Sequence, residues 1–241
     1  MVTLKQLDPE RILQTSVLLE LRIKERFPES GLSIVCGQLV ALAKEAKTTC
    51  ESLRRPHYGL RVGTAVLVSL SVTLLVGGVA MGLSSALAHS SLTWADAIQV
   101  AEAALNDLIL LSATIYFFFT LERRYKRKRV VRALYKLRTL AHLVDVHQLT
   151  KSPDMAGLSE GRTENSPRRM GRFQMGRYLD YCSEMLALSS IIAALYGEGF
   201  DDPEAVEAVT RVEELCHALE RKIWQKMVLL RGTGMPQDNA S

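Results

Sequence analysis

The chain has 241 residues, a formal net charge of +4 at pH 7 and 48% hydrophobic residues, and its mean hydropathy is +0.07. A soluble domain in which 23% of the residues are charged would have a mean hydropathy below zero, so the apolar residues here are concentrated in particular segments. The cysteines lack CxxC and metal-ligand spacing, which argues against a zinc site. They are predicted to be buried free thiols at Cys36, Cys50, Cys182 and Cys216.

Residues 1–60 are predicted to form the N-terminal helices. The segment Asp8–Glu10 reads Asp-Pro-Glu, a helix-start pattern, because Asp caps the first turn and Pro fits the first helical position. Apolar residues at helical spacing continue to about Phe27, where a break with Pro and Gly follows. A second helix is expected over about Leu32–Leu53.

Two apolar segments then predict a two-span antiparallel transmembrane hairpin over residues 61–121. Val62–Ala88 carries no charge, and an α-helix of that length is about 40 Å long, which exceeds the hydrocarbon core of a bilayer. The second span, expected at about residues 97–121, ends in the strongly apolar Leu108–Leu121 but has a polar first half. Because the segment between the spans is short, they are expected to run in opposite directions.

A cationic segment follows the second span directly and is predicted to continue it as a basic juxtamembrane helix over residues 122–151. From Glu122 to Arg138 there are nine Lys or Arg residues and one acid, a local charge of +8. Arginines also precede the first span, whereas the loop between the spans has no Lys or Arg. The positive-inside rule therefore places both termini in the cytoplasm. Contact with anionic lipid headgroups is expected for Arg123, Arg124, Lys126, Arg127, Lys128 and Arg129. A nucleic-acid surface is the alternative, and the adjoining membrane span argues against it.

Polar residues interrupt the second span. Glu102 and Asn106 are four residues apart and share a helix face, and Asp107 lies about 100° further round. A carboxylate inside a bilayer costs a few kcal/mol unless it faces water or a partner. One interpretation is that the helix leaves the hydrocarbon near Asp107. A second is that these three side chains from several copies line a water-filled vestibule that attracts cations. A third is that protonated carboxyls are hydrogen-bonded within the hairpin.

Small residues in the first span predict close helix packing. Gly78 and Gly82 form a GxxxG pattern, and Ser69 and Thr73 belong to a second stripe of small residues. No hydrophobic effect drives helices together in lipid, so small residues that let two backbones approach favour association. The partner is either the second span or another copy of the chain, and a homo-oligomer is expected.

The C-terminal part is predicted to be a flexible loop at 152–171, a cytoplasmic helical pair at 172–232 and a polar tail at 233–241. Cys182–Tyr196 has one charge but is too short to span a bilayer, so it predicts a buried helix, with a third membrane segment as the alternative. The final helix has an apolar seam that packs either inside the bundle or against another chain. The seam consists of Val209, Val212, Cys216, Leu219 and Ile223.

No dinucleotide-binding GxGxxG, Walker A or HExxH motif is present, and the sequence predicts no enzyme activity, catalytic residue, cofactor or metal.

The arrangement of these segments resembles the SLATT class of two-transmembrane proteins. Helices precede a short hairpin (Val62–Ala88 and about Ala97–Leu121), a basic exit follows at Arg123–Arg132, and a cytoplasmic helical tail comes last. The resemblance covers roughly Leu32–Leu149, is architectural and carries over no functional residue. It implies a membrane-perturbing or pore-forming effector of the kind proposed beside bacterial nucleotide-signalling and defence systems.

The sequence therefore predicts an all-α protein of the inner membrane, with a two-span hairpin, a cytoplasmic helical bundle and self-assembly. We expect it to act as an ion-conducting or membrane-perturbing effector. The alternative is a membrane-anchored scaffold or signalling interaction module without transport activity, whose bundle recruits a cytoplasmic protein partner.

Overall fold

The computed structural model describes residues 7–54, 58–88, 94–149, 151 and 170–232. Within these ranges the chain forms helices and no β-strand, so the prediction of an all-α protein is confirmed. The predicted tail at 233–241 and all but the last two residues of the predicted loop at 152–171 lie outside the described residues. The helices are α1 (Pro9–Arg26), α2 (Gly31–Arg54), α3 (Tyr58–Ala88), α4 (Trp94–Leu149), α5 (Arg172–Gly199) and α6 (Pro203–Gly232).

The chain divides into two compact units. The bundle unit comprises residues 1–54 and 129–241, and the second unit comprises residues 55–128. Helix α4 contributes its residues up to 128 to the second unit and its last part to the bundle unit. The second unit is longer than the predicted hairpin at 61–121, because α3 and α4 both extend beyond the apolar segments that they contain.

The bundle unit has one hydrophobic core, to which α1, α2, the last part of α4, α5 and α6 all contribute. Apolar side chains spaced three or four residues apart place one face of each helix in this core. Burying one such side chain stabilises the fold by about 1.5–3 kcal/mol. Side chains at most 1% exposed come from each of these five helices and include Leu19, Leu39, Leu137, Leu186 and Cys216.

Helices α5 and α6 supply much of this core. Helix α5 is long and apolar enough to cross a membrane, yet 67% of its most apolar stretch is buried inside the chain. Cys182 and Tyr196 are both buried, so the prediction of a buried helix over this segment is confirmed. All five residues of the α6 seam are at most 7% exposed, which shows that the seam packs inside the bundle unit rather than against another chain.

Contacts at the two ends of the bundle unit show that its helices alternate in direction. At one end, called the entry end, the start of α1 meets the end of α5, where the Leu7 amide donates to Glu198 Oε2 at 3.2 Å. At the opposite, far end, the end of α1 meets the start of α5, with the Phe27 and Tyr178 ring centroids 5.5 Å apart. The end of α4 is also at the far end, because the Tyr178 hydroxyl donates to the His147 carbonyl at 3.4 Å.

The chain leaves the bundle unit and returns to it at the same place. Ser52, near the end of α2, accepts a hydrogen bond from Arg129 Nη1 at 3.0 Å. About two turns further along α4, Lys136 Nζ donates to both carboxylate oxygens of Glu45 at 2.8 Å. Helix α4 therefore runs back along α2 in the opposite direction, and the excursion of residues 55–128 starts and ends at the entry end.

Candidate functional site

Helix α3 and the first part of α4 expose their apolar side chains. Among the described residues, three helices are long and apolar enough to cross a membrane, and the most apolar stretches of α3 and α4 are 0% buried inside the chain. Leu74 is 69% exposed and Ile109 is 59% exposed, and no described residue between 55 and 128 belongs to the hydrophobic core. Exposed apolar surface costs about 25 cal/mol per Å² in water but nothing comparable in lipid. The lengths and compositions of these helices therefore indicate a membrane protein.

Several hydroxyl groups on these helices donate to the backbone of their own helix. Thr73 Oγ1 donates to the Ser69 carbonyl at 2.8 Å, and Ser112 Oγ donates to the Leu108 carbonyl at 2.8 Å. Thr114 makes the same contact four residues back, at 2.7 Å. A polar group without a partner costs several kcal/mol in hydrocarbon, and these bonds remove that cost without a second helix.

The small residues that the sequence singled out lie on two different faces of α3. A Cβ atom added at Gly78 would meet no heavy atom within 4 Å, so this chain leaves open space beside that glycine. Gly82 is half-buried, and Ser69 and Thr73 are exposed. The space at Gly78 is therefore available to a neighbouring backbone.

Glu102, Asn106 and Asp107 are all exposed on α4. Glu102 and Asn106 share one face, as expected from their spacing, and Asp107 points to the side of it. Counted back from Leu121, Asp107 lies about 21 Å and Glu102 about 28 Å along the helix axis. In a span that ends at Leu121 and crosses a hydrocarbon core about 30 Å thick, Asp107 is inside the hydrocarbon and Glu102 reaches its outer boundary.

The cationic segment of α4 surrounds the helix rather than lining one face. Consecutive helical residues are about 100° apart, so the six Lys and Arg residues at 123–129 point in all directions. Lys126 Nζ pairs with Glu122 at 2.9 Å, and both side chains are mostly buried. Arg123, Arg124 and Lys128 are exposed.

The four cysteines are free and buried, as the sequence predicted. Burial raises the pKa of the thiols of Cys36, Cys182 and Cys216 to about 12, so these groups are protonated and unreactive at neutral pH. In the described ranges no group of three His, Cys, Asp or Glu residues could hold a metal ion.

One short motif has no structural support in the described residues. Gly157–Gly161 reads Gly-Leu-Ser-Glu-Gly and matches the GxSxG pattern of hydrolase nucleophiles, but it lies outside the described residues. That motif acts on a turn between a strand and a helix, and the described part of the chain contains no strand.

Two further features join residues that are far apart in the sequence. At the far end, a Cβ atom at Gly31 of α2 would overlap the His147 ring of α4, so only glycine fits there without a shift. A second feature is a recess between α1 and α5 that is lined by Arg22, Arg26 and Arg177. Neither feature leaves a periodic signal in the sequence.

No protein-family model matches this chain, and neither does any curated protein or solved structure. Function is therefore inferred from the chemistry of its own helices.

Proposed function

We propose that the chain is a two-span integral membrane protein that self-assembles and conducts ions or otherwise perturbs the membrane. The observation that carries this proposal is the contrast between the two units. The bundle unit closes a core of its own, whereas α3 and residues 94–121 of α4 leave their apolar side chains exposed. A chain with this division of apolar surface is stable when lipid covers the second unit.

The closure of the bundle unit at its entry end supports a hairpin topology. Because the contact between Arg129 and Ser52 joins the two ends of the excursion, residues 55–128 start and finish on the same side of any membrane they cross. That requires an even number of crossings, and α3 and α4 each supply one. The bundle and both termini are then on one side, which the cationic flanks make the cytoplasmic side of the inner membrane.

The cations of α4 support a boundary just after Leu121. A helix that crosses the membrane surface meets headgroups on every side, and the cations of residues 123–129 are distributed around the helix in that way. Each cation near an anionic lipid surface contributes about 1 kcal/mol. The same position favours lipid over nucleic acid as the anionic partner.

The polar face of α4 and the open space at Gly78 support assembly. Asp107 lies within the hydrocarbon of the proposed span, where a carboxylate needs water or a polar partner, and in the described part of the chain its side chain has neither an ion pair nor a hydrogen bond. Two spans from one chain do not enclose a pore. Several copies that pack through α3 at Gly78 would surround a water-filled path with Glu102, Asn106 and Asp107, and such a ring attracts cations.

The test is a cation flux measurement with the full chain reconstituted in liposomes, after its size has been measured in nanodiscs by mass photometry. A discrete oligomer and a flux that falls several-fold in Asp107→Ala would support the proposal. Glu214→Ala, which removes an exposed acid from α6, is the matched control and should leave the flux unchanged. A monomeric protein without flux would refute pore formation. Equal flux in all three proteins would refute the proposed position of Asp107 in the ion path.

A membrane-anchored interaction module is the second candidate, and exposed apolar residues on the bundle unit favour it. Leu18 is 60% exposed and Leu21 is 50% exposed on α1, and Trp224 is 63% exposed on α6. Aromatic residues of this kind are frequent at the centres of protein interfaces. For a module of this type, any effect of the expressed chain on cells should be abolished by Trp224→Ala and kept in Asp107→Ala, which is the opposite of the pattern expected for a pore.

A further inference from the structure

Helices α1 and α5 form a recess near the far end of the bundle unit. Its volume is about 420 Å³, and its walls are Arg22, Glu25 and Arg26 of α1 with Arg177 and Tyr181 of α5. This volume is within the range of about 300–1,000 Å³ that is typical of small-molecule sites. Three of the five lining side chains are arginines, so the recess presents several guanidinium donors beside one acid, Glu25.

A buried aromatic floor holds two of these arginines in place. The guanidinium carbon of Arg177 is 5.0 Å from the Tyr181 ring centroid, and that of Arg22 is 5.9 Å from it. Tyr181 itself is 2% exposed, and its ring packs edge-on against Phe27 at a centroid distance of 6.3 Å. Guanidinium groups stacked on a fixed ring lose little freedom when they bind a ligand.

The third arginine has spare hydrogen-bonding capacity. Arg22 pairs with Glu184 at 2.5 Å, and Arg177 pairs with Asp180 at 3.0 Å. The Arg26 guanidinium instead lies over the Phe173 ring at 5.6 Å, and no carboxylate of the described residues lies within 4.0 Å of it. Its five N–H donors therefore face the recess or solvent.

The start of α5 adds positive potential beside Arg26. Helix α5 has 28 residues, and its N-cap residue, Gly171, provides no side-chain acceptor for the first backbone amides. Phe173, in the first turn of α5, is the ring that Arg26 covers. The positive end of the helix dipole at this terminus favours an anion near the arginines.

We propose that this recess binds the oxyanion group of a small solute, either a phosphoryl group or a carboxylate. Both groups match the planar fork of a guanidinium, and Arg26 is the side chain that would meet the anion first. Arg177 would contact the same anion from α5 while it keeps its bond to Asp180. A bound anion would thus connect α1 with α5, and this role is independent of whether the second unit conducts ions.

The test is isothermal titration calorimetry with the full chain in nanodiscs, in which inorganic pyrophosphate and citrate are titrated separately at constant ionic strength. Saturable binding should be at least tenfold weaker in Arg26→Ala, because a charge-assisted contact is lost. Arg221→Ala, which removes an exposed arginine from α6, is the control and should bind like the unchanged chain. Arg26→Lys keeps the charge without the fork and should give an intermediate affinity.

The two titrants separate the two chemistries, since preference for pyrophosphate identifies a phosphoryl site and preference for citrate a carboxylate site. If neither compound binds, the recess is only a network of ion pairs and the proposal is wrong. Equal weakening by Arg26→Ala and Arg221→Ala would also overturn it, because that result indicates general screening of surface charge. Far-UV circular dichroism of each variant checks that the helices are retained.

Discussion

Replacing Gly31 with alanine tests whether the end of α4 packs against the start of α2. The added methyl group would overlap Cε1 of His147 and lie 2.9 Å and 3.0 Å from its two ring nitrogens. Non-bonded carbon atoms prefer separations of about 3.5–4.0 Å, so the imidazole or one of the helices must move. Overpacking of this kind should lower the free energy of unfolding by about 1–3 kcal/mol.

A second substitution reverses the sign of that effect. In a His147→Ala background the imidazole ring that the new methyl group would overlap is absent. What remains is the difference in helix propensity, which favours alanine over glycine. Gly31→Ala should then raise the free energy of unfolding by about 0.5–1 kcal/mol. The double-mutant cycle should therefore give an interaction free energy of at least about 1.5 kcal/mol between the two positions.

The measurement is denaturant unfolding of the full chain in detergent, followed by Trp224 fluorescence after Trp94→Phe removes the second tryptophan. Gly176→Ala is the matched control, because a Cβ atom there meets Leu230 Cδ2 at an ordinary 3.7 Å. That change should stabilise the chain by about 0.5–1 kcal/mol. If Gly31→Ala stabilises the chain to the same extent with His147 present, the packing of α4 against α2 described above is wrong.

Three further predictions concern the bundle unit. Burial raises the pKa of the Cys36, Cys182 and Cys216 thiols from 9.0 to about 12. Their contribution to stability is therefore complete below pH 9 and is lost as the pH rises toward 12. Denaturant midpoints should fall between pH 9 and 12, and a flat profile would contradict the burial of these thiols. At pH 7 all four cysteines should resist maleimide in the folded chain and react after unfolding, as mass spectrometry would show; rapid native labelling would contradict this burial. Lys226→Met should lower the free energy of unfolding by about 1–2 kcal/mol, because Lys226 Nζ donates to the Gln148 carbonyl at 2.8 Å at the end of α4. The same change at the more exposed Lys222 should cost less than about 0.5 kcal/mol in the same denaturant assay, and equal losses would argue against the Lys226 contact.

Local patterns in the sequence were sufficient to predict the helices. Asp8 begins α1 as its position before Pro9 indicated, and its Oδ1 accepts from the Glu10 amide at 3.0 Å. Apolar spacing also identified the buried faces, since Cys216 of the α6 seam is fully buried. These predictions succeed because caps and helical periodicity are properties of neighbouring residues. The hairpin, the oligomer, the lipid contacts and the pore-lining role of Glu102, Asn106 and Asp107 stay predictions.

The partners of each helix were not predictable in the same way. The seam of α6 was compatible with either an internal core or a second chain, and the tertiary structure decided for the internal core. The contact of Gly31 with His147 and the convergence of Arg26 with Arg177 join residues separated by long stretches of chain. The apolar spacing along a helix shows which of its faces is buried. Because apolar packing is non-directional, the same spacing does not show which other helix covers that face.

The sequence by itself determined where the chain is helical, which segments are apolar enough for lipid and where cations follow them, because each of these depends on residues within a few turns of one another. Only the tertiary structure decided that α2 and α4 meet at Ser52 and Arg129, so that the excursion of residues 55–128 begins and ends at one end of the bundle unit. That contact depends on how five helix faces share a single core. The arrangement of these faces depends on all the packing contacts of the bundle unit together, and no single segment of the sequence specifies it.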